Sequence, residues 1–247
     1  MNPPSNYIGQ EKQKTRMQAL LEKSFDHPVN ILLKGHYGMG KTALALFVVA
    51  CIAMYAYLLP PINNLPSAHL TVIDEAHTIR NFEQFYPLMN DRSFVFVSNM
   101  SAKLPAPMRS RTYQIRLGGY TETELSQIIG VHTDLKKAST DIIAPRCKGI
   151  PRRGVKLAEE VTAIMDYKNY PESPGNVAKI LEEYLQVDEN GLDNLDRLYL
   201  STLESGACSK KTLSNILSVT PRELQERERF LQKSGLVKIT GNGREVI

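Results

Sequence analysis

Gly35-His36-Tyr37-Gly38-Met39-Gly40-Lys41-Thr42 decides how the rest of the chain reads. The octet fits G-x-x-x-x-G-K-[S/T] and stands where that pattern has meaning. An apolar strand-like run, Asn30-Ile31-Leu32-Leu33, precedes it, and an uncharged helix-like run begins at Ala43. Glycines at 35, 38 and 40 let backbone N–H groups turn inward around an anion, and the helix N-terminus behind them adds its positive end. Lys41 is expected to reach the β- and γ-phosphates of ATP and Thr42 to hold Mg²⁺, with Met39 and Ala43 completing the cradle.

Downstream, Leu70-Thr71-Val72-Ile73 ends in Asp74-Glu75, 33 residues after Lys41. Acids at the carboxyl end of a strand face the crevice where ligands bind in a parallel α/β sheet. Asp74 is expected to act on Mg²⁺ and Glu75 to polarise the attacking water. Phe94-Val95-Phe96-Val97 is a third strand; Asn99, just past it, is placed to orient that water. Tyr113 to Leu117 reads as a fourth. Strands alternating with helices imply a parallel sheet with right-handed crossovers. Ala43 to Leu59 is 17 residues without a charge. It is shorter than the ~20 of a membrane span. It reads as a buried helix, Lys41 to Ile52, running into a short strand, Met54 to Leu59.

Arginines punctuate the remainder. Arg109 and Arg111 follow a proline-stiffened loop, Leu104-Pro105-Ala106-Pro107, and suit a guanidinium inserted into a neighbouring subunit's site. Gly149-Ile150-Pro151-Arg152 opens a helix that extends to Tyr167, with Val155, Ala158, Val161 and Met165 on one face. An arginine on a first turn opposes the helix dipole, a mismatch that favours an anion-binding role for Arg152. Thr121 and Glu124 form a capping box, Ser173-Pro174 starts a helix ending near Gln186, and Thr220-Pro221 caps another. Helices over Leu192 to Leu203 (Leu195, Leu198 and Leu203 inward), Ser209 to Leu217 and Thr220 to Ser234 precede a hairpin with Gly241-Asn242-Gly243 at its tip. Three helices and a hairpin make a winged helix-turn-helix.

The net charge is +4, its excess lying in residues 1–117, and it permits a nucleic-acid partner without demanding one. Cys51, Cys147 and Cys208 have neither metal nor disulfide spacing. With the polar N-terminus, they suit a reducing cytoplasm and no membrane association.

On these residues the chain resembles RuvB, the branch-migration motor family of AAA+ ATPases, from about Tyr7 to its C-terminus. Asn6-Tyr7-Ile8-Gly9-Gln10 is similar to that family's adenine-side motif, which assigns Tyr7 and Ile8 to the nucleotide. Leu104 to Arg111 resembles its arginine-finger segment, Arg111 being the finger and Arg109 its neighbour. Gly149 to Arg152 resembles its sensor 2, and Asn99 stands at sensor 1, where the family has threonine. Val187 to Asp193 resembles the start of its winged-helix domain. The resemblance implies an α/β AAA+ core (1–117) with a parallel sheet and P-loop, a helical lid (118–186) and a DNA-contacting winged helix-turn-helix (187–247). It also implies a homo-hexameric ring hydrolysing ATP between subunits. Departures are local. His36-Tyr37 replaces Pro-Pro. The stretch Pro60 to His69 has no helix-length pattern. The helix-like run Phe82 to Asp91 leads almost directly into Phe94, with no room for the hairpin that docks on RuvA, which argues against a RuvA-type partner. A shortened relative is the reading. The alternative is a loader or regulator that assembles on DNA or recruits a recombination, transposition or replication partner without processive translocation. For DNA, Lys238, Arg244 and the backbone N–H groups of Gly241 and Gly243 are the phosphate-contact candidates, although Glu223, Glu226 and Glu228 on the third helix would repel a groove.

Overall fold

The computed structural model describes residues 6–51, 69–241 and 243–247, and the backbone of residues 55–58. They divide into two compact units, Met1–Ile128 with Gly149–Arg153, and Ile129–Lys148 with Gly154–Ile247.

The first unit is built on a parallel sheet of β1 (Asn30–Lys34), β2 (Tyr55–Leu58), β3 (Leu70–Ile73), β4 (Ser93–Ser98) and β5 (Tyr113–Arg116), in the spatial order β2-β3-β4-β1-β5. β1, β3 and β4 are apolar and buried almost throughout, as expected for strands covered on both faces. The order matters for chemistry. It sets the carboxyl ends of β3, β4 and β1 side by side, and the runs Asp74-Glu75, Asn99 and Gly35–Thr42 leave from those three ends. One face is sealed by rings. Phe85 packs edge-on against Phe94 and Phe96, with centroids 5.8 and 5.7 Å away, and Phe82, Met89, Leu104 and Met108 complete that layer.

Helices α1 (Glu11–Glu22) and α2 (Lys41–Ala50) belong to this unit. α2 buries Leu44, Ala45, Leu46, Val48 and Val49. It stops at Ala50, two residues short of the expected end, and no helix among the described residues is long and apolar enough to cross a membrane. The expected absence of a helix over Pro60 to His69 falls mainly outside the described residues. The run Phe82 to Asp91 supplies only the one-turn α3 (Phe85–Leu88); Pro87 has no N–H to give the Glu83 carbonyl and so keeps the helix from starting earlier. Met89 to Arg92 then join α3 directly to β4. The short α4 (Ala106–Ser110) follows Pro105.

The boundary between units falls within α5 (Glu122–His132) and again within α7 (Pro151–Lys168), which flank α6 (Lys137–Ile143). α5 carries the expected capping box: Thr121 N–H donates to Glu124 Oε2 at 2.8 Å, and Glu124 N–H donates to Thr121 Oγ1 at 3.2 Å. In α7, Ala158, Val161 and Met165 are buried and Val155 only partly so. α8 (Pro174–Glu183) begins at a Ser173 cap, as its sequence indicates, and ends three residues earlier than expected. The C-terminal part comprises α9 (Asn194–Glu204), α10 (Lys210–Ile216), α11 (Pro221–Lys233) and the hairpin of β6 (Val237–Thr240) and β7 (Gly243–Val246). Thr220 caps α11 with Glu223 in a capping box.

The expected inward face of α9 needs correction. Leu198 is exposed and Tyr199 is fully buried, packed with Leu203, Leu213, Leu217, Leu224, Leu231 and Val237. The inward stripe runs through Asp196, Tyr199 and Leu203, spaced three and four apart, and Leu198 falls off it. A sequence reading that counts only leucines misses a stripe made of an acid and a phenol.

Candidate active site

The phosphate-loop signature folds as its glycines allow. Gly38 (φ +75°) and Gly40 (φ +74°) are left-handed, and Gly40 hands the chain to α2. Close approach adds to this demand. A Cβ on Gly38 would lie 3.0 Å from Arg152 Cβ, and one on Gly40 would lie 3.1 Å from the Tyr7 hydroxyl. Gly35 abuts Leu117 in the same way at 3.2 Å. Ala43 is partly buried in the first turn of α2, and Met39 is buried.

Lys41 is 8% exposed, and its ammonium donates to the His36 carbonyl at 2.8 Å. Burial lowers its pKa, against the upward pull of Glu75 and Asp74, and Arg152 pushes it down further. A cation so placed gains from an anion entering the loop. Thr42 Oγ1 donates to Asp74 Oδ2 at 2.7 Å, and the Glu75 N–H donates to Asp74 Oδ1 at 2.8 Å. Thr42 and Asp74 are thus brought together from α2 and the end of β3. Among the described residues no three His, Cys, Asp or Glu side chains cluster to hold a metal. A cation between Thr42 and Asp74 would take its other ligands from phosphate and water, the usual habit of Mg²⁺.

Glu75 holds a left-handed backbone (φ +47°), uncommon for a residue with a side chain. The Thr78 hydroxyl donates to its carbonyl at 2.9 Å, and His77 Nδ1 stands 3.4 Å from its carboxylate. Asn99 emerges beside it from β4 with Oδ1 buried and unpartnered, an acceptor left for a further group such as water. Arg152 completes the cluster. Its backbone N–H reaches the Gly38 carbonyl at 3.4 Å, and its guanidinium lies over the Tyr37 ring, 4.6 Å from the centroid.

Tyr7 lies beneath the loop. Its hydroxyl donates to that of Tyr120 at 2.6 Å and stands 3.4 Å from the Gly40 carbonyl, and Tyr120 donates in turn to the Met39 carbonyl at 3.2 Å. Burial raises the pKa of both phenols, so both remain protonated donors. Ile8 is partly buried next to Tyr7. Tyr120 and Gln10 escaped the sequence reading. Gln10 uses both ends of its amide on the backbone of Gly118, donating to the carbonyl at 3.0 Å and accepting from the N–H at 3.2 Å. Gln10 sits in the Asn6–Gln10 string already singled out; nothing in the local pattern around Tyr120 marks it.

Arg109 and Arg111 stay apart from this cluster. Arg111 lies over the Tyr86 ring at 5.3 Å, and Arg109 Nε is buried without a hydrogen-bond partner. Neither guanidinium hydrogen-bonds or stacks with a phosphate-loop residue among the described residues.

The hairpin gives two of the DNA candidates other duties. Arg244 Nε donates to Glu228 Oε1 at 2.7 Å, and the Tyr199 hydroxyl donates to the same oxygen at 3.3 Å. Glu228 is buried, and Arg244 is the cation that faces it there. Gly243 is buried in β7, where a Cβ would come within 2.7 Å of the Cys208 carbonyl oxygen. Lys238 and Gly241 remain exposed, Lys238 with Glu245 3.3 Å away. The expected repulsion along the third helix also shrinks. Glu228 faces inward, Glu223 caps α11 and Glu226 pairs with Arg222 at 3.5 Å.

Residues 189–246 match the model of the RuvB C-terminal winged helix domain. The Holliday junction branch migration complex subunit RuvB of Fervidobacterium nodosum is 28% identical, with 97% of this chain and 84% of that protein aligned. RuvB of Helicobacter acinonychis is 27% identical, over 97% and 86%. The solved structure of the Thermotoga maritima RuvB Holliday junction branch migration motor superposes with a TM-score of 0.81 at 26% identity, covering this whole chain and 95% of that one. This chain is RuvB-like. Its fold is an α/β AAA+ core with a C-terminal winged helix. The alignment to the Fervidobacterium protein runs over 293 positions against a chain of 247 residues, so that RuvB carries insertions that this RuvB-like chain lacks. Drosophila ORC bound to DNA shares the fold more distantly, with a TM-score of 0.53 at 14% identity.

Proposed function

We propose that this chain is an ATP-dependent, ring-forming AAA+ motor that acts on DNA and hydrolyses ATP at its subunit interfaces. One observation carries the reading: Lys41, Thr42, Asp74, Glu75 and Asn99 follow three adjacent strand ends and Arg152 reaches the phosphate loop from α7, while Arg109 and Arg111 make no contact with that loop among the described residues. A site with every part but a second arginine suits one completed by a neighbour.

The roles follow from chemistry. The backbone of Gly35, Gly38, Met39, Gly40 and Ala43 cradles phosphate oxygens, and Lys41 exchanges the His36 carbonyl for the β- and γ-phosphates. Tyr7 and Ile8 line the adenine side. Thr42 and Asp74 would hold Mg²⁺, which when bound would offset charge on the phosphoryl group. Glu75 polarises the lytic water, its carboxylate aimed by its fixed backbone, and Asn99 orients the same water through its unpartnered Oδ1. Arg152 meets the γ-phosphate from the same subunit. Arg111, leaving Tyr86, enters from the next subunit with Arg109 beside it; such fingers contribute about 10³–10⁵ in rate.

We assign residues 1–117 to the core, 118–186 to a lid and 187–247 to the winged helix. The ring is a homo-hexamer working in a cytoplasm that keeps its three free thiols reduced. DNA meets the wing at Lys238 and Gly241. The four-residue link Met89 to Arg92 leaves no docking hairpin, so a RuvA-type partner is not part of the proposal. That same short link favours the second reading, a loader or regulator that recruits another partner on DNA.

Steady-state hydrolysis by mixed variants tests the shared site. Arg111→Ala and Lys41→Ala should each be inactive alone and recover activity when mixed, because a mixed interface pairs an intact Lys41 with an intact Arg111. Absence of recovery in confirmed mixed rings would remove the finger in trans. A branch-migration assay on a four-way junction then separates motor from loader.

A further inference from the structure

Arg152 occupies a position that disfavours it. It sits on the first turn of α7, where the helix dipole opposes a cation, and it lies close enough to the buried Lys41 ammonium to lower that group's pKa. Among the described residues its side-chain partner is a ring, not a carboxylate: the guanidinium stands 4.6 Å from the Tyr37 centroid. The backbone locks the pair in place. Arg152 N–H reaches the Gly38 carbonyl, and the absent Cβ of Gly38 makes the space that Arg152 Cβ fills. Tyr37 itself is 52% exposed at the rim of the phosphate loop, so burial does not account for an aromatic residue there.

The kind of partner has a consequence. A carboxylate at position 37 would hold Arg152 by occupying its N–H donors and cancelling its charge. An aromatic face holds the flat guanidinium through its π-cloud and leaves the in-plane N–H groups and the positive charge available. Tyr37 can therefore fix where Arg152 stands without competing with the anion that Arg152 is to meet.

We propose that Tyr37 is a positioning residue that pre-orients Arg152 over the phosphate loop and thereby sets the preference of the site for a nucleoside triphosphate over a diphosphate. This rests on the nucleotide-site reading above and deepens it. The preference arises because Arg152 is directed to the terminal phosphate, which a diphosphate lacks, whereas Lys41 and the loop backbone serve both. Without the ring, Arg152 must be ordered by the ligand itself, and the ordering cost falls on triphosphate binding alone.

The test is a double-mutant cycle on the full chain. The affinity for a non-hydrolysable ATP analogue and for ADP, both with Mg²⁺, is measured by calorimetry for wild type, Tyr37→Ala, Tyr37→Phe, Arg152→Ala and Tyr37→Ala/Arg152→Ala. Tyr37→Ala should lower the triphosphate-to-diphosphate preference by about two- to fivefold, the size of an exposed cation–π contact. Tyr37→Phe, which keeps the ring face, should retain the preference, and ADP affinity should not move. In the Arg152→Ala background, Tyr37→Ala should have no further effect. Equal losses with and without Arg152, or an equal loss for ADP, would overturn the proposal and assign Tyr37 a general role in loop structure. Wild type binding neither nucleotide would overturn the underlying nucleotide-site reading, an outcome distinct from additive variants on an active wild type.

Discussion

Asp196→Ala would remove the centre of a buried ionic group. The Asp196 side chain is fully buried. It accepts from the Lys148 ammonium and, at 2.6 Å, from Arg227 Nη1, and it also accepts the Asp193 N–H at 3.0 Å to close the capping box of α9. Removing one member of a buried pair typically costs ~3–5 kcal/mol, because the surviving charge is left without a counterion. Here Arg227 keeps Asp193 at 2.5 Å and Lys148 keeps it at 3.7 Å. That remaining carboxylate places the loss near the lower end, and the lost cap adds up to ~1 kcal/mol. A total of about 3–4 kcal/mol would lower the melting temperature by on the order of 10 °C for a unit of this size. Circular dichroism of the full chain on heating gives the shift, and hydrogen exchange locates it on α9 and α11. A midpoint within about 1 °C of wild type would refute the reasoning, since no 3 kcal/mol loss is that small. The pH dependence has a definite sign. Burial alone would raise the pKa of Asp193, but Lys148 and Arg227 outweigh it and hold the group below the usual aspartate value. Its contribution is therefore complete above that ordinary value, about 3.9. It is lost as the pH falls through the depressed folded-state value. Arg227→Met should shift that acid loss to higher pH.

Other variants address the site and the wing. Glu75→Gln should bind ATP with near wild-type affinity and hydrolyse it at least about a hundredfold more slowly, the usual scale for a lost proton acceptor; single-turnover kinetics measure it. Gly38→Ala should weaken nucleotide binding about tenfold, because the left-handed backbone and Arg152 Cβ at 3.0 Å both oppose a methyl group; calorimetry decides. Arg244→Ala should destabilise the C-terminal helices by about 3 kcal/mol because it strands buried Glu228. Lys238→Ala should leave stability unchanged, weaken DNA binding and flatten its salt dependence by about one unit of slope, as read by fluorescence anisotropy across a salt series.

Much of the fold was legible because it rests on short-range rules. The strand-loop-helix context of Gly35–Thr42, the apolar run ending in Asp74-Glu75, and the caps at Thr121, Ser173 and Thr220 all place elements to within a few residues of where they form. Where the reading failed, the partner lay far off in sequence. Leu198 and Tyr199 exchange places because the inward stripe of α9 packs on residues far along the chain, from Leu213 to Val237, with Glu228, 29 residues beyond Tyr199, accepting from its hydroxyl. Arg244 reads as free for phosphate in the sequence because nothing near it shows that Glu228 is buried beside it. Tyr120 carries no local signature, yet its hydroxyl props the phosphate loop across 81 residues.

The chain's own order of residues determined the chemistry available: a glycine loop before Lys41 and Thr42, acids at one strand end, an asparagine at another, and arginines on two later turns. Backbone dihedrals and neighbouring side chains suffice for those. Only the tertiary structure decided which charges are at liberty. It brings β3, β4 and β1 edge to edge, so that groups up to 111 residues apart share one crevice at Lys41 and Arg152. It also buries Asp196 and Glu228 deeply enough to bind nearby cations. Burial is a property of the packed chain, and it is burial that turns a solvated arginine into a structural one.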